Sequence, residues 1–179
     1  MAALEVDFDL QGTAFRHREE LLQLLERLPN LVGITVKGDG LDDELLNQVL
    51  ANREHLRHLA VLEASVTATG FNKLPNNIET VCIMKTLADE RIMEELLNCP
   101  KLSYLALSQN RMENVYGLKM FACLDTVYFD EPSLSCADLQ KLELPKCLTR
   151  IVIKGSSWND TEIQLLHDSW QGVAIVHEP

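Results

Sequence analysis

The stretch Leu102-Ser103-Tyr104-Leu105-Ala106-Leu107-Ser108-Gln109-Asn110-Arg111-Met112 decides the fold. Its first, fourth, sixth and eleventh residues are apolar and its ninth is Asn. Side chains alternate faces along a strand, so the fourth and sixth residues share one face and the fifth looks the other way. The spacing recurs, with drift, at Leu31…Ile34-Thr35-Val36…Leu41, Leu56…Leu59-Ala60-Val61…Val66 and Ile78…Val81-Cys82-Ile83…Ala88. It recurs again at Leu124…Val127-Tyr128-Phe129…Leu134 and Leu148…Ile151-Val152-Ile153…Trp158. The copies start at 31, 56, 78, 102, 124 and 148, in steps of 22 to 25 residues. Val6/Phe8 lies 28 residues before Ile34/Val36, and Val173/Ile175 lies 22 after Ile151/Ile153, which extends the series to about eight short strands. In every copy the two paired residues are apolar and are read as pointing inward. One such turn cannot bury its own apolar row, whereas stacked turns bury a continuous core.

The segments between strands repeat as well. Leu41-Asp42-Asp43-Glu44-Leu45-Leu46 matches Ala88-Asp89-Glu90-Arg91-Ile92-Met93 at a shift of 47, and Leu134…Leu139 matches Trp158…Ile163 at a shift of 24. Asp42, Asp89, Ser135 and Asn159 stand where helix N-caps belong, which predicts four helices of two to three turns. Thr67 to Pro75 contains Gly70 and reads as an irregular or 3₁₀ turn. Glu113 to Phe121 reads as a short helix weakened by Gly117. Solenoid ends need covers. Ala14 to Arg27, with Leu21, Leu22, Leu24 and Leu25, predicts a capping helix that Pro29 stops. Trp170 and a strand from Val173 to Val176 close the other end. A single domain over 1–179 is expected: cap and first turn 1–30, repeats 31–166, and a C-terminal cap strand within 167–179.

The Leu102–Met112 pattern resembles the leucine-rich repeat superfamily, over roughly residues 31 to 166. The resemblance implies an α/β solenoid, a short curved horseshoe with a parallel sheet on its concave face and helices on its convex face. It also implies protein binding as the usual task. The Asp-Asp-Glu-Leu-Leu turns look closest to ribonuclease-inhibitor-like repeats. Asn98-Cys99-Pro100-Lys101-Leu102-Ser103-Tyr104-Leu105-Ala106-Leu107 is similar to the junctions of F-box leucine-rich-repeat proteins. The ninth position holds Asp39, Ala64, Thr86, Asn110, Pro132 and Ser156, so one copy keeps the Asn that ladders the loops. No F-box is read before the repeats.

Composition narrows the function. The 179 residues are 46% hydrophobic and 24% charged, with 16 Lys+Arg against 27 Asp+Glu, a formal net charge of −11. Nucleic-acid affinity comes mostly from basic side chains, so no nucleic-acid partner is expected. No apolar run approaches the roughly 18 to 20 residues that span a bilayer, and no membrane association is expected. The acidic start, Met1-Ala2-Ala3-Leu4-Glu5-Val6-Asp7, lacks the basic-then-apolar pattern of a secretion signal. Five cysteines, with no C-x-x-C, read as reduced thiols in the cytoplasm or nucleus. Cys123 and Cys147 fall in one repeat column and read as two small buried thiols. Asn159-Asp160-Thr161 is a sequon, but Glu162 three residues after Asn159 makes a capping box the stronger reading. His55-x-x-His58 has metal-compatible spacing without a further ligand nearby, so no metal site is expected. No phosphate-binding glycine loop, nucleophile elbow or isolated carboxylate pair occurs, so neither enzyme activity nor a cofactor is expected.

The outward positions of the strands are the candidate site. The third, fifth and seventh residues of six copies run from Gly33, Thr35 and Lys37 to Arg150, Val152 and Lys154. Over these copies Lys37, Arg150 and Lys154 face one Asp130, a net of +2 on an acidic chain. Leu62, Met84, Tyr104, Tyr128 and Val152 place apolar and aromatic groups on the same face. Tyr, Met and Arg are enriched at interfaces, and exposed apolar patches mark contact sites. The expectation is a non-enzymatic adaptor or substrate-receptor module, a monomer that docks a protein segment there. Arg150 and Lys154 would meet acidic groups at one side. The alternatives are an inhibitor or pathogen effector that occupies a host protein and, behind it, a structural assembly subunit. A ribonuclease-inhibitor-like blockade would want an acidic face, which the +2 count opposes.

Overall fold

The computed structural model describes residues 5–9, 15–110, 112, 115–130, 135–155 and 158–178. Ala14, Pro132, Leu134 and Ser156, which figure in the sequence reading, lie outside the described residues, as do Met1 to Leu4.

Eight strands form one sheet in chain order: β1 (Glu5–Asp9), β2 (Gly33–Lys37), β3 (His58–Leu62), β4 (Thr80–Met84), β5 (Tyr104–Ser108), β6 (Thr126–Asp130), β7 (Arg150–Lys154) and β8 (Ala174–Glu178). Every neighbouring pair is parallel. The register follows the repeat: Ile34, Leu59, Val81, Leu105, Val127 and Ile151 align, and so do Val36, Val61, Ile83, Leu107, Phe129 and Ile153. All twelve are buried in one core. The last rung departs from expectation. Ile151 pairs with Ile175 and Ile153 with His177, a shift of 24 rather than 22, so Val173 precedes the strand. His177 thus takes the second inward position, half-buried, with its Nε2 3.3 Å from the Gly155 carbonyl. A terminal rung has core on one side only, so it tolerates a polar group that an interior rung would not.

The helical side is less regular. α1 (Phe15–Glu26) buries Leu21 and Leu25, one turn apart on the same face. Its Arg18 grips both carboxylate oxygens of Asp42 at 3.0 and 3.2 Å. Asp42 in turn caps α2 (Asp43–Leu50), accepting from the Leu45 N–H at 2.9 Å. α3 (Ile92–Leu96) and α4 (Cys136–Leu139) are single turns, shorter than predicted. At α3 the expected cap, Asp89, spends its carboxylate on the Arg91 side chain at 2.7 Å and backbone N–H at 3.2 Å, and the helix starts three residues later. Ser135 caps α4 as expected. Asn159 and Glu162 form the full capping box of α5 (Asp160–Ser169). The turns at Ala68–Phe71 and Tyr116–Met120 are 3₁₀.

Loops between rungs are stitched by side chains. Asn110 accepts from the Thr86 N–H at 3.1 Å and hydroxyl at 2.9 Å, and donates to the Ile83 carbonyl at 2.8 Å. Asp43 does the same between earlier rungs, accepting from the Thr67 N–H at 2.7 Å and hydroxyl at 2.6 Å. The residue after a strand turns to positive φ in rung after rung: Gly38 (116°), Glu63 (50°), Lys85 (52°), Gln109 (47°) and Gly155 (131°). Each donates its N–H to the last strand residue of the next rung, which carries the ladder one step beyond the sheet. Together these features make an α/β solenoid of leucine-rich-repeat type.

Candidate functional site

The parallel register sorts the outward residues into three rows across the sheet. One runs Gly33, His58, Thr80, Tyr104, Thr126, Arg150; the second Thr35, Ala60, Cys82, Ala106, Tyr128, Val152; the third Lys37, Leu62, Met84, Ser108, Asp130, Lys154. Leu62, Met84, Tyr104 and Tyr128 are half-exposed in four successive rungs, and Arg150 and Lys154 are exposed. Val152 is different: only 4% of it is accessible, so it offers a partner almost no surface. Its register neighbours are Tyr128 on β6 and Val176 on β8, which flank it on both sides. Ser108 and Asp130 are also buried, with the Ser108 hydroxyl 3.1 Å from the Asp130 carboxylate.

Several polar groups of this face are neutral or already satisfied. Burial pushes the Tyr104 and Tyr128 hydroxyls above their ordinary range; Cys82 adds to this at Tyr104, and Asp130 and Glu178 at Tyr128. Both phenols therefore stay protonated at neutral pH and are available as hydrogen-bond donors. Burial also raises the Cys82 thiol, which keeps it from the thiolate form. Glu63 lies 3.2 Å from Lys37 and 3.5 Å from Lys85, and these lysines hold its carboxyl below the usual range. Arg150 and Lys154 enter no ion pair among the described residues.

Two features escaped the sequence reading. Small residues in rungs two to four leave a shallow hollow of about 120 Å³, bordered by Gly33, Thr35, His58, Ala60, Thr80 and Cys82. His58 is fixed there, its Nδ1 3.1 Å from the Thr80 hydroxyl. The signal was present in the small outward residues Gly33, Thr35 and Ala60. The charge count also changes. Glu5, Asp7 and Asp9 of β1 and Glu178 of β8 stand in register with the outward rows. Counted by sequence at these register positions, five acidic residues stand against three basic ones, and the net is −2 rather than +2.

Elsewhere, His55 is exposed, while His58 is held in the hollow. No group of three or more potential metal ligands occurs among the described residues. All five cysteines are free. Cys123 is exposed rather than buried, whereas Cys147 is half-buried and donates to the Leu124 carbonyl at 3.2 Å. Burial in the core lifts the Cys99 thiol to about 11.

No family model matches the sequence, and no curated protein matches it. Among solved structures, an internalin from Listeria monocytogenes is similar, at 12% identity and a TM-score of 0.38, over 86% of this chain and 55% of that one. The chain thus spans little more than half the length of that internalin. The eight parallel rungs of the chain itself carry the assignment of the fold.

Proposed function

We propose that the chain is a non-enzymatic protein–protein interaction module that docks a segment of a protein partner on the open face of its sheet. The observation that carries this reading is the run of half-exposed Leu62, Met84, Tyr104 and Tyr128 across adjacent rungs. Aromatic side chains are rigid and supply contact area at little entropic cost, the flexible Met84 adapts to the partner's surface, and the neutral phenols add donors. Arg150 and Lys154, in no ion pair among the described residues, face carboxylates of the partner at the β7 side. The F-box-like junctions favour an adaptor or substrate-receptor role, and the reduced cysteines favour the cytoplasm or nucleus. The module acts as a monomer.

A second reading has one specific observation behind it. The −2 count over all eight rungs is the sign that an inhibitor or effector blocking a basic protein would use. Affinity purification from the native cell, followed by titration of the purified partner, tests both. Tyr104→Ala with Tyr128→Ala costs about 2 kcal/mol or more of binding, roughly thirtyfold. A doubly substituted chain that keeps its circular dichroism and binds every partner normally discards the surface. In the adaptor reading Arg150→Glu weakens binding; in the inhibitor reading it strengthens it.

A further inference from the structure

Charge is not spread evenly around this solenoid. The connections that lead from each helical turn into the next strand are residues 27–32, 51–57, 72–79, 97–103, 121–125, 140–149 and 170–173. They carry seven Lys or Arg and four Asp or Glu, a net of +3 within a chain of −11. The opposite connections carry, among their described residues within 38–42, 63–67, 85–91, 109–115, 135 and 155–159, two against five. The first edge is built stiffly: Lys101 donates to Asn77 at 2.7 Å and Asn77 to the Glu54 carbonyl at 2.9 Å, rung to rung. Lys73 and Lys146 are exposed and in no ion pair among the described residues.

The same edge exposes apolar groups. Met120 (63%) and Leu97 (39%) are two of the four large hydrophobic residues exposed in the described chain. Leu97 ends α3 and Met120 ends the 3₁₀ turn of the next rung. Those turns are stacked so closely that a Cβ on Gly117 would lie 3.2 Å from the Met93 Cβ. Two rungs further on, the edge opens into a cleft of about 560 Å³ between residues 142–148 and the end of α5. Lys146, Asp168 and Trp170 line it. Trp170 is 6% accessible, and its indole Nε1–H is buried without a hydrogen-bond partner among the described residues.

We propose that this edge is a second docking surface, independent of the sheet face, for an acidic, leucine-rich segment of a partner protein. Its apolar side chains cover Leu97 and Met120, its carboxylates meet Lys73, Lys101 and Lys146, and its end seats in the cleft beside Trp170. Excess positive charge on an otherwise strongly acidic protein selects an acidic partner locally and repels it elsewhere.

Nuclear magnetic resonance of the full chain tests this with a short capped peptide of glutamate, leucine and proline, and with the same peptide carrying lysine for glutamate. The two indole signals, Trp158 and Trp170, are told apart with Trp170→Phe. The acidic peptide shifts the Trp170 Nε1–H signal and the Met120 methyl signal, and the lysine peptide does not. Lys146→Glu or Met120→Lys, both at exposed positions that leave folding intact, weakens the acidic peptide about fivefold or more. Tyr104→Ala with Tyr128→Ala leaves it unchanged, so the result stands or falls apart from the sheet-face reading. The proposal is overturned by no shift with the acidic peptide, by equal shifts with both, or by shifts confined to Tyr104 and Tyr128.

Discussion

Replacing Asn110 by Ala should loosen the solenoid at one defined seam. The side chain makes three hydrogen bonds to the preceding rung: it accepts from the Thr86 N–H and hydroxyl and donates to the Ile83 carbonyl. Thr86 is 5% accessible, so water reaches its freed N–H poorly. Each stranded buried group costs about 1–3 kcal/mol, but Asn110 itself is half-exposed and water recovers part of the loss on its side. The expected cost is therefore about 2–3 kcal/mol in urea unfolding. The loss acts at the interface between neighbouring rungs, and solenoid stability is close to a sum of such nearest-neighbour terms. Amide exchange should accordingly accelerate most in β4 and β5 and least in β1 and β8. Asn110→Asp supplies a control: it keeps the acceptor for Thr86 but sets a carboxylate oxygen against the Ile83 carbonyl, and it too should destabilise. A cost below about 0.5 kcal/mol for Asn110→Ala, or an Asn110→Asp chain as stable as the parent, would refute the stitching argument.

Two further outcomes follow from backbone geometry and from titration. Gly155 sits at φ 131°, where a Cβ is strained, so Gly155→Ala should cost about 1–3 kcal/mol, whereas Gln109→Gly at φ 47° should be neutral or stabilising by up to about 1 kcal/mol; thermal unfolding of the pair checks the contrast. Asp125 is held below the ordinary carboxylate range, first by the Thr149 hydroxyl at 2.6 Å and then by the Thr126 hydroxyl at 3.0 Å. A depressed folded-state value means that its stabilisation is complete above the unfolded aspartate value, near 3.9, and is lost as pH falls through the folded one. Thr149→Val should raise the Asp125 midpoint in a carboxyl-carbon titration and flatten the acid limb of the stability curve; an unmoved midpoint contradicts the assigned cause.

How much of this was legible beforehand depends on the range of the forces involved. The rungs were legible because burial imposes a strict alternation: Ile34/Val36 through Ile151/Ile153 cannot slip by one residue without turning a whole row outward. The caps at Asp42, Ser135 and Asn159 were legible because they act within three residues. Asp89 was not, because the competing Arg91 differs in no way that periodicity reports. The last register failed for a related reason. Val173/Ile175 is the better apolar pair, but β7 aligns with Ile175 and His177 through the backbone ladder, where the Thr149 carbonyl takes the Ala174 N–H at 2.8 Å. An end rung is governed by that ladder more than by burial, since it has little core to lose.

The candidate surface was legible as a set of positions and illegible as a relief. Alternation alone places Leu62, Met84, Tyr104, Tyr128 and Val152 on one face, yet accessibility there is decided sideways, by the size of the neighbour one rung away. Val152 vanishes between Tyr128 and Val176, while Ala60 and Gly33, flanked by small groups, open a hollow. It follows that the face can be reshaped without touching the core. Tyr128→Ala should do two things at once: remove an anchor and uncover Val152. Its effect on binding a partner should be smaller than that of Tyr128→Glu, which removes the anchor and sets a further carboxylate above Val152.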